Sequence, residues 1–255
     1  MHAGSGPFVL LVHGFLSSRA QWLANLESLS QVARPVVVEL FGHGRSPSPE
    51  EPAAYAPSNY VAEFERIREI LGVDRWLLCG QSLGAALSFR YALDCPRRIS
   101  AHIFTNSMSA LAEDGWPDRV RPGLEAQARR LAEGGRGVLE QHPLSPLRNR
   151  RLSAVQREAF AADSELLEPS GIARTGLFTI PASSVRWRVG SNSVPTLLVV
   201  GEREKQFAPY RRFAETEMPM LTVAAMDAGH APNLDAAESF NEVIVGFVRG
   251  QPLHH

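Results

Sequence analysis

Gly80-Gln81-Ser82-Leu83-Gly84 is the stretch that decides the fold of this chain. It follows a short apolar run over 76–79, which is typical of a buried strand, and it precedes apolar residues with helical spacing over 83–91. A strand, a Gly-x-Ser-x-Gly turn and a helix in this order predict a sharp, strained turn. Such a turn lifts the Ser82 hydroxyl clear of the sheet edge, and glycines leave room for it because they carry no Cβ.

A second turn follows the apolar run Phe8 to Val12 and reads His13-Gly14-Phe15-Leu16. A loop at this place can aim the backbone N–H of Phe15 at the space above Ser82. The N–H of Leu83 is a second candidate donor, and together the two form a candidate oxyanion hole. His13 is a possible base, but a histidine before glycine in such a loop more commonly orients the backbone, and we assign it that structural role.

A serine hydroxyl is a poor nucleophile unless a base accepts its proton and an acid orients that base. Glu204 follows an apolar run at 196–200, and His230 follows another at 221–225. The order Ser82, Glu204, His230 places each side chain at the carboxyl end of a strand, where open parallel sheets carry their sites. Asp227, three residues before His230, is the alternative acid.

Buried strands alternate with helices along most of the chain, which predicts a mostly parallel, doubly wound α/β sheet. The expected strands are Phe8–Val12, Pro35–Leu40, Trp76–Cys79, Ile99–Thr105, Thr196–Val200 and Leu221–Ala225. Ser58 is the expected N-cap of the helix that follows the proline-rich loop 46–57.

Residues 107–193 interrupt this alternation with short amphipathic pieces among Gly, Pro and Arg. We predict a helical cap over the site, inserted into a core domain made of residues 1–106 and 194–250. A disordered linker is the alternative, but the segment has too many apolar residues for it. Residues 251–255 are a tail, in which His254 and His255 resemble the remnant of a purification tag.

Nine arginines fall within 119–157 of the predicted cap. They could attract an anionic substrate, although a solvated face is the simpler interpretation. The whole chain has 25 arginines and a single lysine, Lys205, so richness in arginine is partly a matter of composition.

Composition narrows the possible functions. The formal net charge of −1 gives no reason to expect a nucleic-acid or membrane partner, and no apolar run reaches the ~18 residues of a membrane span. Phe8 already begins a strand, which leaves no room for a signal peptide. Cys79 and Cys95 do not form a disulfide framework, so we expect a reduced, cytoplasmic protein. We expect no cofactor and no metal, and the glycine-rich turn 42–46 lacks the Gly-Lys-Ser/Thr ending of a phosphate loop.

Five segments, in this order and spacing, resemble the α/β-hydrolase fold family along nearly the whole chain. They are His13-Gly14-Phe15, Gly42-His43-Gly44-Arg45-Ser46, Gly80-Gln81-Ser82-Leu83-Gly84, Gly201-Glu202-Arg203-Glu204 and Gly229-His230. The resemblance implies an α/β-hydrolase fold with Ser82 as the nucleophile, His230 as the base, and Phe15 and Leu83 as oxyanion donors. Glu204 stands where most members carry the aspartate of the triad.

The resulting expectation is a serine hydrolase that cleaves a small or medium acyl substrate, most simply a carboxylic ester, through an acyl-enzyme on Ser82. The segments 13–16 and 201–207 also resemble the menaquinone-pathway synthase that forms succinyl-hydroxycyclohexadiene carboxylate, but Ala86 stands where that enzyme has an arginine. Such a lyase, or a carbon–carbon bond hydrolase with the same triad, is the first alternative. A non-catalytic ligand receptor on the same fold is the second.

Overall fold

A computed structural model describes residue 4 and residues 6–251 of the chain. Within them, one sheet has the strand order β2-β1-β3-β4-β5-β6, and every neighbouring pair is parallel. The strands are β1 (Phe8–Val12), β2 (Arg34–Val38), β3 (Trp76–Gly80), β4 (Ile99–Thr105), β5 (Thr196–Gly201) and β6 (Leu221–Met226). The predicted mostly parallel sheet is confirmed.

Helices connect the strands and form the segment between β4 and β5. They are α1 (Leu26–Ser30), α2 (Pro57–Ile70), α3 (Leu83–Asp94), α4 (Trp116–Gly134), α5 (Arg136–Glu140), α6 (Ala154–Ser164), α7 (Pro169–Arg174), α8 (Ala208–Glu217), α9 (Pro232–Asp235) and α10 (Ala237–Arg249).

The two faces of the sheet bury two apolar layers, because successive side chains of a strand point to opposite faces. In β1, Leu10 and Val12 pack in the cluster that includes α2 and α3. Val9 and Leu11 pack in the cluster that includes α1 and α10. Each such side chain contributes on the order of 1.5–3 kcal/mol when it is fully buried. This double burial explains why β1 is a continuous apolar run.

The start of α2 differs from the expectation. The helix begins at Pro57 with Ala56 at the N-cap, and no side chain caps it, so the prediction for Ser58 is wrong. Proline suits the first helical position because its missing N–H would have no partner inside the helix there. The helix therefore begins with Pro57 at its first position and is not capped by the side chain of Ser58.

Residues 107–193, which we call the cap segment, contain α4 to α7 and several shorter turns. Leu131, Leu139 and Leu167 of this segment are buried in the same cluster as Leu10 and Val12 of the core. The segment is therefore ordered helix rather than linker. No helix in the described part of the chain is long and apolar enough to cross a membrane. His254 and His255 lie outside the described residues.

Candidate active site

Ser82 lies on a strained turn between β3 and α3. Its backbone has φ 53° and ψ −113°, a conformation that L-residues rarely adopt. A Cβ at Gly80 would lie 2.4 Å from the carbonyl oxygen of Gly84, and one at Gly84 would lie 2.2 Å from that of Val12. Glycine is therefore required at position 80 for β3 to pack against α3, and at position 84 for α3 to pack against the end of β1.

Ser82, His230 and Glu204 form one hydrogen-bonded chain. The Ser82 Oγ lies 2.9 Å from the His230 Nε2, and the His230 Nδ1 lies 2.9 Å from the Glu204 Oε1. With the proton of neutral His230 on Nδ1, Nε2 is free to accept the serine proton. His230 follows β6, Glu204 follows β5 and Ser82 follows β3. Three strand ends at one edge of the sheet thus bring together the residues predicted to be the nucleophile, the base and the acid.

Asn106, which directly follows β4, holds the carboxylate of Glu204. Its Nδ2 donates to the Glu204 Oε2 at 2.8 Å and to the Gly201 carbonyl at 3.1 Å, and its Oδ1 accepts from the Gly201 N–H at 3.0 Å. Burial raises the pKa of Glu204, but the hydrogen bond and charge of His230, together with the Asn106 bond, outweigh it and keep the pKa below its usual range. Glu204 is therefore held as an ionised acceptor for His230.

The alternative acid, Asp227, lies away from this chain of bonds. Its side chain is 87% exposed, and its carboxylate lies 3.6 Å from the Nε of Arg203. The Glu204 side chain is only 17% exposed and contacts His230 directly. The longer glutamate side chain reaches the histidine from the end of β5, and Asp227 takes no part.

Phe15 and Leu83, whose backbone N–H groups are the predicted oxyanion donors, line the same pocket as Ser82. Leu83 is the first residue of α3, where helix N–H groups are unpaired and the helix dipole favours negative charge. Within residues 6–251, neither N–H donates a hydrogen bond to another backbone or side-chain group. Both donors are therefore available to an oxygen that becomes negatively charged near Ser82.

Two buried histidines fix the loop that carries Phe15. His13 Nδ1 donates to the Gly14 carbonyl at 2.7 Å, and its Nε2 accepts from the Leu40 N–H at 3.0 Å. His43 Nε2 accepts from the N–H of Leu16, whose φ is 60°, at 3.2 Å. The structural role predicted for His13 is confirmed.

Both histidines are neutral in the folded protein near pH 7. Burial lowers the pKa of His13 to about 4, and burial together with the neighbouring His13 lowers the pKa of His43 to about 3. Each imidazole needs an unprotonated nitrogen to accept its backbone N–H. Burial in apolar surroundings keeps that nitrogen unprotonated.

A pocket of about 500 Å³ opens onto Ser82 and His230. Its walls come from the core loops and from the cap segment, and most are apolar. The lining residues from the cap segment are Met108, Ser109, Trp116, Pro143, Leu144, Ser145, Pro146, Arg148, Asn149 and Ile180. This volume suits a ligand of small to medium size.

A hydrogen-bonded bridge joins the cap segment to the histidine loop. Asn149 Nδ2 donates to the Asp235 Oδ1 at 2.8 Å, and the Asp235 Oδ2 accepts from the Gly229 N–H at 2.6 Å. Gly229 directly precedes His230. We call this contact the Asn149–Asp235 bridge.

Sequence reasoning missed Asn106 and Asp235 as supports of the site. Asn106 directly follows the predicted strand Ile99–Thr105, so the sequence indicates its place at the active edge but not its contact with Glu204. Asp235 carried no local signal, because its partners lie six and 86 residues away. Among the described residues, no group of three or more His, Cys, Asp or Glu side chains could hold a metal ion.

A family model described as alpha/beta hydrolase fold matches residues 7–237. The chain belongs to the α/β-hydrolase fold family. This match agrees with the parallel sheet and with the serine turn after β3, and it confirms the resemblance drawn from the five segments.

Relatives within the family include an esterase and a synthase. The chain is 28% identical over 270 residues to the pimeloyl-[acyl-carrier protein] methyl ester esterase of Nitrosospira multiformis, with 96% of each chain covered. It is 23% identical over 246 residues to a Bacillus subtilis protein provisionally named 2-succinyl-6-hydroxy-2,4-cyclohexadiene-1-carboxylate synthase, covering 94% of this chain and 89% of that one.

Among solved structures, MenH from S. aureus is similar to this α/β-hydrolase, with a TM-score of 0.85 at 19% identity and coverage of 97% and 96% of the two chains. At this identity the likeness shows the fold alone. The Ala86 side chain is fully buried and does not line the pocket, so this position supplies no cation to a substrate.

Proposed function

We propose that this α/β-hydrolase is a serine esterase that cleaves a small or medium carboxylic ester through an acyl-enzyme on Ser82. The observation that carries the proposal is the continuous path from the Ser82 Oγ through His230 to Glu204, with 2.9 Å at each step, beside a pocket of about 500 Å³. Relatives that include an esterase support it.

In the first half of the reaction, the Ser82 Oγ attacks the ester carbonyl carbon while His230 Nε2 accepts the hydroxyl proton. Glu204 stabilises the imidazolium that forms, because its negatively charged carboxylate accepts a hydrogen bond from the Nδ1–H of His230. The carbonyl oxygen becomes negatively charged and accepts hydrogen bonds from the N–H groups of Phe15 and Leu83. His230 then gives its proton to the leaving alcohol, whose bond to the carbonyl carbon breaks.

In the second half, water attacks the acyl carbon and His230 Nε2 takes one proton from it. The bond to the Ser82 Oγ breaks, the serine regains a proton from His230, and the carboxylic acid leaves. No redox step is involved, and the atoms of water are divided between the two products.

The buried Ala86 favours this reaction over that of the menaquinone-pathway synthase, because the chain has no arginine at the corresponding position. The receptor alternative predicts at most about one equivalent of chemistry per chain. Turnover of many equivalents therefore separates an enzyme from a receptor.

The test is a panel of p-nitrophenyl esters of increasing chain length, assayed with the wild type, Ser82→Ala and Ser191→Ala. Ser191 is exposed and lies outside the pocket, so Ser191→Ala is the matched control. We expect many turnovers by the wild type and the control and none above background by Ser82→Ala. Activity of Ser82→Ala close to that of the wild type would overturn the mechanism.

A further inference from the structure

Arg148 differs from the other charged residues that line the pocket, because it has no counterion. Glu204 is paired with His230, and Asp235 accepts from Asn149 and from the Gly229 N–H. Within the described residues, the Arg148 guanidinium forms no ion pair and no hydrogen bond. The pocket therefore presents one uncompensated positive charge in a largely apolar wall.

The backbone on both sides of Arg148 is fixed. The guanidinium of Arg157 on α6 donates to the carbonyls of Leu147 at 3.0 Å and Asn149 at 3.1 Å. The Asn149 side chain is held in turn by Asp235 of the core at 2.8 Å. A cation that stands on a fixed turn loses less conformational freedom when it binds a ligand than one on a free loop does.

We propose that Arg148 binds an anionic group of the substrate, so that the preferred ester carries a carboxylate at the far end of its acyl chain. Arginine suits this role because its planar guanidinium matches a carboxylate with two parallel hydrogen bonds. The apolar wall formed by Trp116, Leu144 and Ile180 accommodates the hydrocarbon between the anion and the ester. This inference rests on the proposed esterase function and names its substrate class.

The composition of the cap segment alone does not lead to this conclusion. Nine arginines lie between 119 and 157, yet Arg148 is the one of these nine that lines the pocket. Arg119 and Arg157 are engaged elsewhere, with Glu113 and with backbone carbonyls. All of these nine arginines except Arg136 are exposed, as the sequence predicts for a solvated face, and Arg148 is the exposed one that also lines the pocket.

The experiment compares two series of p-nitrophenyl esters of equal chain length. The anionic series is the half-esters of succinate, adipate and suberate, and the neutral series is the esters of butyrate, hexanoate and octanoate. The measured quantity is the ratio of kcat/KM for each anionic ester to that for its neutral partner. Arg148→Gln is compared with the wild type, with Arg148→Lys, and with Arg150→Gln, an exposed cap arginine that does not line the pocket.

At the chain length with the highest ratio, we expect Arg148→Gln to lower the ratio by about tenfold. This factor corresponds to the loss of one charge-assisted hydrogen-bonded contact at a partly exposed site. We expect Arg148→Lys to retain part of the ratio and Arg150→Gln to retain all of it. Added salt lowers the ratio in the wild type but not in Arg148→Gln. An unchanged ratio in Arg148→Gln at all three lengths, or an equal loss in Arg150→Gln, would overturn the proposal.

The outcomes separate this inference from the function beneath it. Ser82-dependent hydrolysis of both series with no dependence on Arg148 contradicts the anion subsite alone. Absence of Ser82-dependent hydrolysis in either series contradicts the esterase function itself.

Discussion

The proposed reacting groups and the cap-segment wall of the pocket are held in different ways. Ser82, Glu204 and His230 follow strands of one sheet, and buried partners such as Asn106 fix them. The loop around Arg148 is exposed and is fixed by the Arg157 guanidinium and the Asn149–Asp235 bridge. The difference predicts that changes at the sheet edge act on the chemical step, whereas changes in the cap segment act on binding and selectivity.

The most severe way to break the sheet-edge arrangement is Glu204→Gln. The neutral amide stabilises an imidazolium far less than the carboxylate does, and its NH2 group can face Nδ1 and favour the wrong tautomer, so we expect kcat to fall by about 10⁴-fold with little change in KM. Asp227→Asn is the matched control, because that carboxylate is exposed and does not contact His230. A large loss in Asp227→Asn, with a negligible one in Glu204→Gln, would reverse the assignment of the acid.

Acidification should destabilise the core through its buried neutral histidines. Burial lowers the pKa of His13 to about 4 and the pKa values of His43 and His102 to about 3, all below the 6.5 of an exposed histidine. Below pH 6.5 the unfolded chain binds the additional protons, so stability is present above that pH and is lost as the pH falls. From about pH 7.5 to about pH 5.5, three such groups lower the free energy of unfolding by about 4 kcal/mol.

Guanidinium unfolding at the two pH values measures this effect. His102→Gln, which removes a buried histidine away from the pocket, should reduce the pH dependence by about a third. A pH dependence that is equal in the wild type and this variant would contradict the account of His102.

Asn106→Ala tests the support of the acid. The substitution removes a buried hydrogen bond to an ionised group, and such bonds contribute about 1.5–3 kcal/mol. We therefore expect kcat to fall by about 10- to 100-fold. Asn192→Ala is the control, because Asn192 is also buried and bonded to Val194 and Thr196 but lies outside the pocket. Equal kcat values for the two variants would show that Asn106 serves stability alone.

Asn149→Ala tests the cap side of the comparison and has the smallest expected effect. Loss of the hydrogen bond to Asp235 frees the loop around Arg148 in the cap segment. We therefore expect KM to rise by about 2- to 10-fold while kcat is unchanged. Asn59→Ala, which removes an exposed asparagine on α2, is the control. A fall in kcat at constant KM would show that the bridge acts on the histidine loop rather than on binding.

Sequence reasoning predicted the sheet well and the supports of the site less well. Strands such as β1 and β3 were visible because burial on both faces makes them continuous apolar runs. The sequence places Glu204 at the active edge because it lies three residues after the end of β5. The Asn149–Asp235 bridge had no such signal, since it joins residues that are far apart in the chain and whose meeting depends on how the cap segment packs.

The same limit applies to Arg148. One arginine among nine in the cap segment cannot be singled out by composition, because the direction of each side chain depends on turns that Pro146 and neighbouring residues form. Local propensity likewise did not decide the start of α2, where Pro57 takes precedence over Ser58. Local patterns determine elements, and contacts between distant segments determine which side chains line the pocket.

The measurement that tests the central claim most directly is labelling with a fluorophosphonate, followed by peptide mapping and by assay of the same samples with a p-nitrophenyl ester. We expect one probe per chain, attached to the Ser82 Oγ. We also expect ester hydrolysis to be lost in proportion to labelling. Full activity in protein whose Ser82 is labelled, or labelling at another residue with parallel loss of activity, would contradict it.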